Sequence, residues 1–253
     1  LEGSRVVVTG ADGFIGSHLV EALAHRGAQV TALALYNSFG TAGWLDTLDP
    51  AVRDQVSVVF GDVRDAGAMM DLLSGSDHCL HLAALISIPH SYEAPQSYID
   101  TNVHGTLNIL QAARSAGTAR IVVASTSEVY GTPEVVPIVE THPLQAQSPY
   151  AASKVAADQL ALSFAASFGA PVMILRPFNT YGPRQSARAV ITTVLSQMLA
   201  GAVEIRVGSL APRRDFTYVS DTVDGFVRSI AGDFFPGDVV QLGTGVAVSV
   251  AEL

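Results

Sequence analysis

The sequence predicts an α/β protein built on a doubly wound parallel sheet, with a smaller C-terminal lobe interleaved with it. Two features carry that expectation. Short β-branched runs alternate with amphipathic stretches along nearly the whole chain, as βαβ crossovers require. The strand runs are also near-continuous in Val, Ile, Leu and Ala, as in strands buried on both faces. With 253 residues, 49% hydrophobic and 15% charged, the chain has core material for one large domain or for one domain and part of a second. The same composition excludes disordered, collagen-like and coiled-coil classes.

Arg5–Thr9 reads as the first strand and Ile15–His25 as the following helix, with Gly27 placed where a helix-ending glycine belongs. Gln29–Leu35 and Val56–Phe60 are the next strands, Ala66–Leu73 a helix, and His78–Leu82 the fourth strand. One long helix is expected over Pro95–Ser115, a strand at Arg120–Ala124, a helix at Tyr150–Phe168 and a strand at Val172–Leu175. Beyond Arg176 the pattern loosens around Pro177, Pro183 and Pro212. Helices near Ala189–Leu199 and Ser220–Ile230 and a strand near Asp238–Leu242 are expected there. The implied division is a first domain over residues 1–176 and a lobe over 177–253, from which a strand or helix can return to the first domain. Ala251-Glu252-Leu253 reads as the first turn of another helix, so the lobe is expected to be truncated.

Acidic groups outnumber basic ones 23 to 14, for a net charge of −9. That field repels phosphate backbones, so no nucleic-acid partner is expected. Cys79 is the only cysteine and has no internal disulfide partner, which points to a reducing, cytoplasmic setting. The 17-residue uncharged run Gln159–Leu175 is interrupted by Gly169 and Pro171 and falls short of the ~20 apolar residues a bilayer-spanning helix needs. The N-terminus has no signal-peptide pattern, and no membrane partner is expected.

Thr9-Gly10-Ala11-Asp12-Gly13-Phe14-Ile15-Gly16 follows the first strand and opens a helix. Glycines at that junction let the backbone turn tightly and approach a pyrophosphate, whose charge then rests on the helix N-terminus. A dinucleotide site follows. The acid that usually binds the adenosine ribose about 20 residues on is missing. Ala32-Leu33-Ala34-Leu35 stands there, followed by Tyr36-Asn37-Ser38, with no arginine or lysine between Gly27 and Pro50. NAD is the expected cofactor, with NADP as the alternative. Asp62, after the third strand, is expected to face the adenine, an N-cap being its plainer use.

Tyr150 and Lys154 lie four residues apart on a predicted helix, so both reach one spot. Lys154 is the only lysine beside 13 arginines. Its retention implies a site that needs a compact ammonium. Ala124-Ser125-Thr126-Ser127-Glu128 lies at the carboxyl end of the fifth strand, the edge where open parallel sheets bind ligands. Arg213-Arg214 is a natural clamp for a diphosphate. His78 and His81 are three apart on one strand and face opposite sides, so no metal is expected. No Gly-x-Ser-x-Gly elbow suggests a hydrolase, and Cys79 reads as core.

Together the glycine motif, His81-Leu82-Ala83-Ala84, the Ser/Thr-rich strand end and the Tyr150/Lys154 pair resemble the extended short-chain dehydrogenase/reductases, a Rossmann-fold family. Arg176-Pro177-Phe178-Asn179-Thr180-Tyr181-Gly182-Pro183-Arg184-Gln185 and Arg214-Asp215-Phe216-Thr217-Tyr218-Val219 resemble the NAD-dependent nucleotide-sugar epimerases and dehydratases within it. The likeness is narrowest to N-acetylglucosamine nucleotide 4,6-dehydratases of legionaminic-acid-type pathways. It is carried by Tyr36-Asn37-Ser38-Phe39, Gly43-Trp44-Leu45-Asp46, Ile88-Pro89-His90-Ser91-Tyr92 and Gln185-Ser186-Ala187-Arg188-Ala189-Val190-Ile191. Three departures stand out: Ser127 where many dehydratases have Asp, Ala34 for the ribose-binding Asp, and Thr192 for a frequent proline.

The resemblance implies a nucleotide-sugar 4,6-dehydratase acting as a homodimer, using its nicotinamide internally. A uronate decarboxylase or 4-epimerase on the same scaffold, and a non-catalytic dinucleotide-sensing regulator, are the rivals. Thr126, Ser127, Glu128, Tyr150 and Lys154 would be catalytic. Asn37, Ser38, Val63, Leu82, Ala83, Ala84 and Pro177 would join Gly10, Asp12, Gly13, Phe14, Ile15, Gly16 and Asp62 around the cofactor. Ser87, Thr126, Asn179, Arg188 and Arg214 would hold the nucleotide sugar. For Tyr150 to act as a base near pH 7, its pKa of about 10 must fall by about three units, roughly 4 kcal/mol. Lys154 and a cationic nicotinamide are expected to supply that shift.

Overall fold

The computed structural model describes residues 1–253. Strands β1 (Arg5–Thr9), β2 (Gln29–Leu35), β3 (Val56–Gly61), β4 (His78–His81), β5 (Arg120–Ala124) and β6 (Val172–Pro177) match the expected runs closely. Two strands of the lobe come next, β7 (Asn179–Tyr181) and β8 (Arg213–Tyr218), followed by β9 (Val239–Leu242) and β10 (Ala247–Ser249). Seven strands form one sheet in the order β3-β2-β1-β4-β5-β6-β9, with every pairing parallel. The order reverses between β1 and β4, which makes a crevice at their carboxyl ends.

Helices α1 (Phe14–Ala24), α2 (Pro50–Arg53), α3 (Ala66–Leu73), α4 (Ile88–Glu93), α5 (Pro95–Tyr98), α6 (Gly105–Ala116), α7 (Pro149–Phe168), α8 (Val190–Leu199) and α9 (Val219–Ala231) complete the chain. Period-two strands distribute their side chains to both faces. Val6 and Val8 join Leu19, Leu23, Phe226 and Ile230 of α1 and α9 in one core. Val7, Ile121 and Val123 join Met69, Leu110 and Phe164 of α3, α6 and α7 in the other. The doubly wound α/β architecture follows from that double burial.

Several expectations need correction. The helix expected over Pro95–Ser115 is continuous but not uniform: α5 leads through a π-helical turn, Ile99–His104, into α6. The wider turn seats the buried side chain of Asn102. Its Oδ1 accepts from Leu85 N (2.8 Å), and its Nδ2 donates to Leu85 O (2.9 Å) and Ser153 Oγ (2.9 Å). Three strands of the lobe escape the sequence pattern, β7 and β10 because they have three residues each and β8 because it opens on the charged Arg213-Arg214-Asp215, and they form a separate sheet in the order β10-β8-β7. Val250–Glu252 forms a turn in which Leu253 N donates to Ser249 O (3.1 Å), the bond of a first helical turn, as expected there. There, Ser249 and Glu252 bond reciprocally: Glu252 Oε2 accepts from Ser249 N (2.7 Å) and Ser249 Oγ from Glu252 N (3.2 Å). Strand β9 and helix α9 return from the C-terminal region to the main sheet and to α1. No helix is long and apolar enough to cross a membrane.

Candidate active site

The glycine turn lies at the crevice where strand order reverses. Gly10 has φ +66°, and a Cβ there would stand 2.7 Å from Ala83 N, just beyond β4. A Cβ on Gly16 would stand 2.1 Å from Gly10 O, so the helix can follow β1 this closely only without one. Gly13 serves as N-cap of α1 with no side-chain cap, which leaves the first helical N–H groups aimed outward without a protein acceptor. An open anion cradle at a helix N-terminus fits a pyrophosphate. Asp12 folds back toward β2, its Oδ2 accepting from Leu35 N at 3.4 Å. Burial raises its pKa, opposed by hydrogen bonds from its own amide and that of Leu35.

Other expected cofactor residues lie at or beyond the carboxyl ends of the strands, with differing freedom. Asn37 uses its amide on its own loop, donating to Leu35 O and Thr41 O and accepting from Phe39 N. Ser38 lies in that loop. Asp62 is bound by Arg64, whose Nε donates at 3.0 Å, and that hydrogen bond holds its pKa low. Asp65, not Asp62, caps α3, accepting from Ala68 N. Val63 packs against Gly105. Leu82 N donates to Thr9 O, and Ala83 N to Thr9 Oγ1, with Ala84 following in the same loop. Pro177 ends β6 opposite Leu242.

A buried polar chain fixes the loop after β4. Thr9 Oγ1 accepts from Ala83 N and meets His81 Nδ1 at 2.7 Å, donating to it because the neutral ring carries its proton on Nε2. Thr106 Oγ1 donates to Asn102 O (2.6 Å) and so accepts from His81 Nε2 (3.1 Å). His81 is thus a neutral imidazole protonated at Nε2, with its pKa pushed down to about 3 by burial and by the Lys154 charge. Cys79 is buried, its thiol pushed up to about 12.

The residues expected to act as acid and base lie near the carboxyl ends of β5 and β6. Ser148 caps α7, accepting from Ala151 N at 3.0 Å, and the helix carries Tyr150 and Lys154 on one buried face. Thr126 Oγ1 accepts from Glu128 N (3.2 Å), which closes a 3₁₀ turn over Ser127–Tyr130. The threonine side chain adjoins the Tyr150 phenol and lowers its pKa. The Tyr150 phenol is pushed up to about 12, first by burial and then by the Glu128 and Asp158 charges, against the lowering effect of Thr126. The expected fall in pKa is therefore not produced by the chain's own groups: burial outweighs them. Tyr98 stacks edge-on against Tyr150 at 6.3 Å.

Lys154 Nζ donates to Ala124 O at 2.7 Å; burial lowers its pKa while the Asp158 carboxylate favours its charge. Asp158, one turn further along α7, was missed by sequence reasoning. Its Oδ2 accepts from Ser125 Oγ (2.9 Å) and Arg176 Nε (3.1 Å) and pairs with Arg176 Nη2 at 3.0 Å, while Oδ1 has no protein partner. Arg176 Nη1 donates to Tyr130 Oη (2.7 Å), on the turn that carries Glu128. The ion pair thus links Lys154's helix to Glu128's turn. The signal was available: Tyr150, Lys154 and Asp158 repeat every four residues, and an arginine inside an apolar strand needs a carboxylate.

The substrate candidates approach from the lobe. Asn179 is in register with Phe216, and Arg214 lies two residues before Phe216, so both share a face of the small sheet. Arg213 faces the other way, bound to Glu252 (3.0 Å) and Ala247 O (2.6 Å), so the expected two-arginine clamp reduces to Arg214. Ser87 caps α4, and its carbonyl accepts from Tyr98 Oη (2.6 Å). The Arg188 charge acts on the same Tyr98 phenol. Arg184 latches the lobe to α1 through Glu21 (3.0 Å).

A glycine turn at a sheet's switch point, served by a tyrosine and a lysine one helical turn apart, defines the extended short-chain dehydrogenase/reductases. Within that class the chain belongs to the GDP-mannose 4,6 dehydratase family, which matches residues 7–253. It is 34% identical to a dTDP-glucose 4,6-dehydratase of Actinoplanes sp., over 98% of this chain and 79% of that protein. A UDP-N-acetylglucosamine 4-epimerase from Methanobrevibacter ruminantium M1, in complex with UDP-N-acetylmuramic acid, superposes with a TM-score of 0.90 at 31% identity, over 99% of this chain and 79% of that one. A dTDP-glucose 4,6-dehydratase from Streptomyces venezuelae with NAD bound gives a TM-score of 0.86 at 32% identity, over 98% and 78% of the two chains.

Proposed function

We propose that the protein is an NAD-dependent nucleotide-sugar 4,6-dehydratase, converting an NDP-hexose or NDP-N-acetylhexosamine to its 4-keto-6-deoxy form. The observation that carries this reading is the position of Glu128, on the turn capped by Thr126 and close enough for its charge to act on Tyr150. NAD, when bound, would take hydride from C4 and return it to C6 once water has left, while a solvent-derived proton returns to C5, so that the 4-keto-6-deoxy sugar forms with no net oxidation. Tyr150 takes the C4 hydroxyl proton and Thr126 orients that hydroxyl. Lys154 would hold the nicotinamide ribose, and Tyr150 would ionise against burial with the positive charge of the bound cofactor beside it. With C4 a ketone, the C5 proton becomes acidic through enolate delocalisation. Glu128 removes it as the C6 hydroxyl leaves as water, protonated by Glu128 or by a water it positions. Ser127 is a poor acid, because an alcohol holds its proton too tightly. Arg214 and Asn179 bind the diphosphate, with Ser87 and Arg188 toward the sugar.

A 4-epimerase is the second reading, favoured by the superposition on the Methanobrevibacter enzyme. It needs rotation of a ketone and no base at C5. Incubation with a panel of nucleotide sugars in deuterated water separates the two. A dehydratase yields a product lighter by one water, with deuterium at C5. In Glu128→Gln that exchange should fall by at least ~10²-fold, the usual contribution of a general base. A wild type that exchanges no C5 proton on any accepted sugar replaces the dehydratase with an epimerase or decarboxylase. Turnover of any of them excludes a purely regulatory role. A cytoplasmic homodimer completes the reading; light scattering that gives the mass of one chain would remove the dimer.

A further inference from the structure

In dinucleotide-binding βαβ units, the second strand ends in an acid that accepts hydrogen bonds from the adenosine ribose. Here β2 ends Leu33-Ala34-Leu35, and Ala34 is fully buried in the core. A carboxylate nevertheless stands at the end of β2. It comes from the glycine turn: Asp12 Oδ2 accepts from Leu35 N at 3.4 Å. The residue is held in that pose from a second side. Its carbonyl accepts from Trp44 N (3.1 Å), and the Gly43 backbone lies so close that a Cβ there would be 2.6 Å from the same carbonyl.

No cation offsets this charge. Asp12 has no ion-pair partner, and no arginine or lysine occurs between Gly27 and Pro50. The arginine beyond the neighbouring strand, Arg64, holds Asp62 through Nε at 3.0 Å to both carboxylate oxygens. Asp46, in the loop beside Gly43, adds a further acid, bound to Thr41 Oγ1 and Ala42 N (both 2.8 Å).

We propose that Asp12 replaces the missing β2 acid, accepting the adenosine ribose hydroxyls and excluding a 2′-phosphate, so that it sets the preference for NAD over NADP. This rests on the dinucleotide site described above and assigns its selectivity to one residue. A carboxylate accepts two hydroxyl protons from a vicinal diol. A 2′-phosphate in the same place brings two negative charges against a part-buried third, with no guanidinium to receive it.

Asparagine at position 12 keeps an oxygen for Leu35 N and removes only the charge, and serine keeps a shorter one. The test is calorimetric binding of NAD⁺ and of NADP⁺ to the full chain freed of bound dinucleotide, for wild type, Asp12→Asn and Asp12→Ser. Wild type should prefer NAD⁺ at least ~10-fold, and both variants should bring the ratio down by ~10-fold, equivalent to about 1.4 kcal/mol. An unchanged ratio, or equal loss of both affinities, would make Asp12 a backbone pin and overturn the proposal while leaving the dinucleotide site standing. A wild type that binds neither nucleotide overturns both.

Discussion

Tyr150 is stacked edge-on against Tyr98, adjoins Thr126 and lies deep enough that its phenol resists ionisation. A group with that environment works as a base only when positive charge arrives beside it. Tyr150→Phe should lower turnover by ~10²–10⁴-fold, the span of general-base contributions, with dinucleotide affinity and unfolding temperature unchanged. A phenylalanine variant of near-normal rate would remove the tyrosine from the chemistry. Asp158 presents the opposite problem, a carboxylate that must stay charged out of water. Asp158→Asn leaves Arg176 buried without its counter-ion and should cost about 3–5 kcal/mol in denaturant unfolding. Replacing both residues by apolar ones of similar size should recover much of that loss. A double variant as unstable as the single would show that the pair is not the source.

At the scale of elements, the β4 end, the π turn and α7 are tied by the relay from Thr9 through His81 and Thr106 to Asn102 and Ser153. His81 has a folded pKa of about 3, below its ordinary value. The unfolded chain therefore binds more protons as pH falls below about 6.5, and stability drops by up to ~1.4 kcal/mol per pH unit on this account. Urea midpoints measured from pH 7 down to 5 should fall in that direction, and His81→Gln should flatten the slope. A slope untouched by the substitution would assign it to other groups.

These elements also mark the limit of what the sequence makes legible. Strands β1 to β6 announce themselves because burial on both faces forces unbroken apolar runs, and the glycine turn and Tyr150/Lys154 pair because their chemistry restricts residue type. Asn102 lies inside an apparently regular helical stretch, so nothing in its spacing shows that the helix widens around it. Strands β7, β8 and β10 owe their form to pairing with one another, which local pattern does not carry. The opposed facing of Arg213 and Arg214 becomes visible only once β8 is known to be a strand.

For the molecule as a whole, the parallel sheet is made from both ends of the chain. Strand β9 supplies the partner of β6, with Ile174 opposite Val239 and Pro177 opposite Leu242. The stretch between them forms the lobe that carries Asn179, Arg188 and Arg214. This threading has a consequence for biosynthesis. The ribosome delivers β6 several seconds before its neighbour at about 5–20 residues per second, and during that interval the strand presents an unpaired row of amides and carbonyls. A chain terminated after Pro236 keeps that state permanently and should partition into the pellet or onto a chaperone, whereas the chain through Leu253 stays in the supernatant. Equal solubility of the two would mean that the nascent β6 edge is shielded by something other than β9. Nascent molecules thus depend on the late-made β9 for protection from one another.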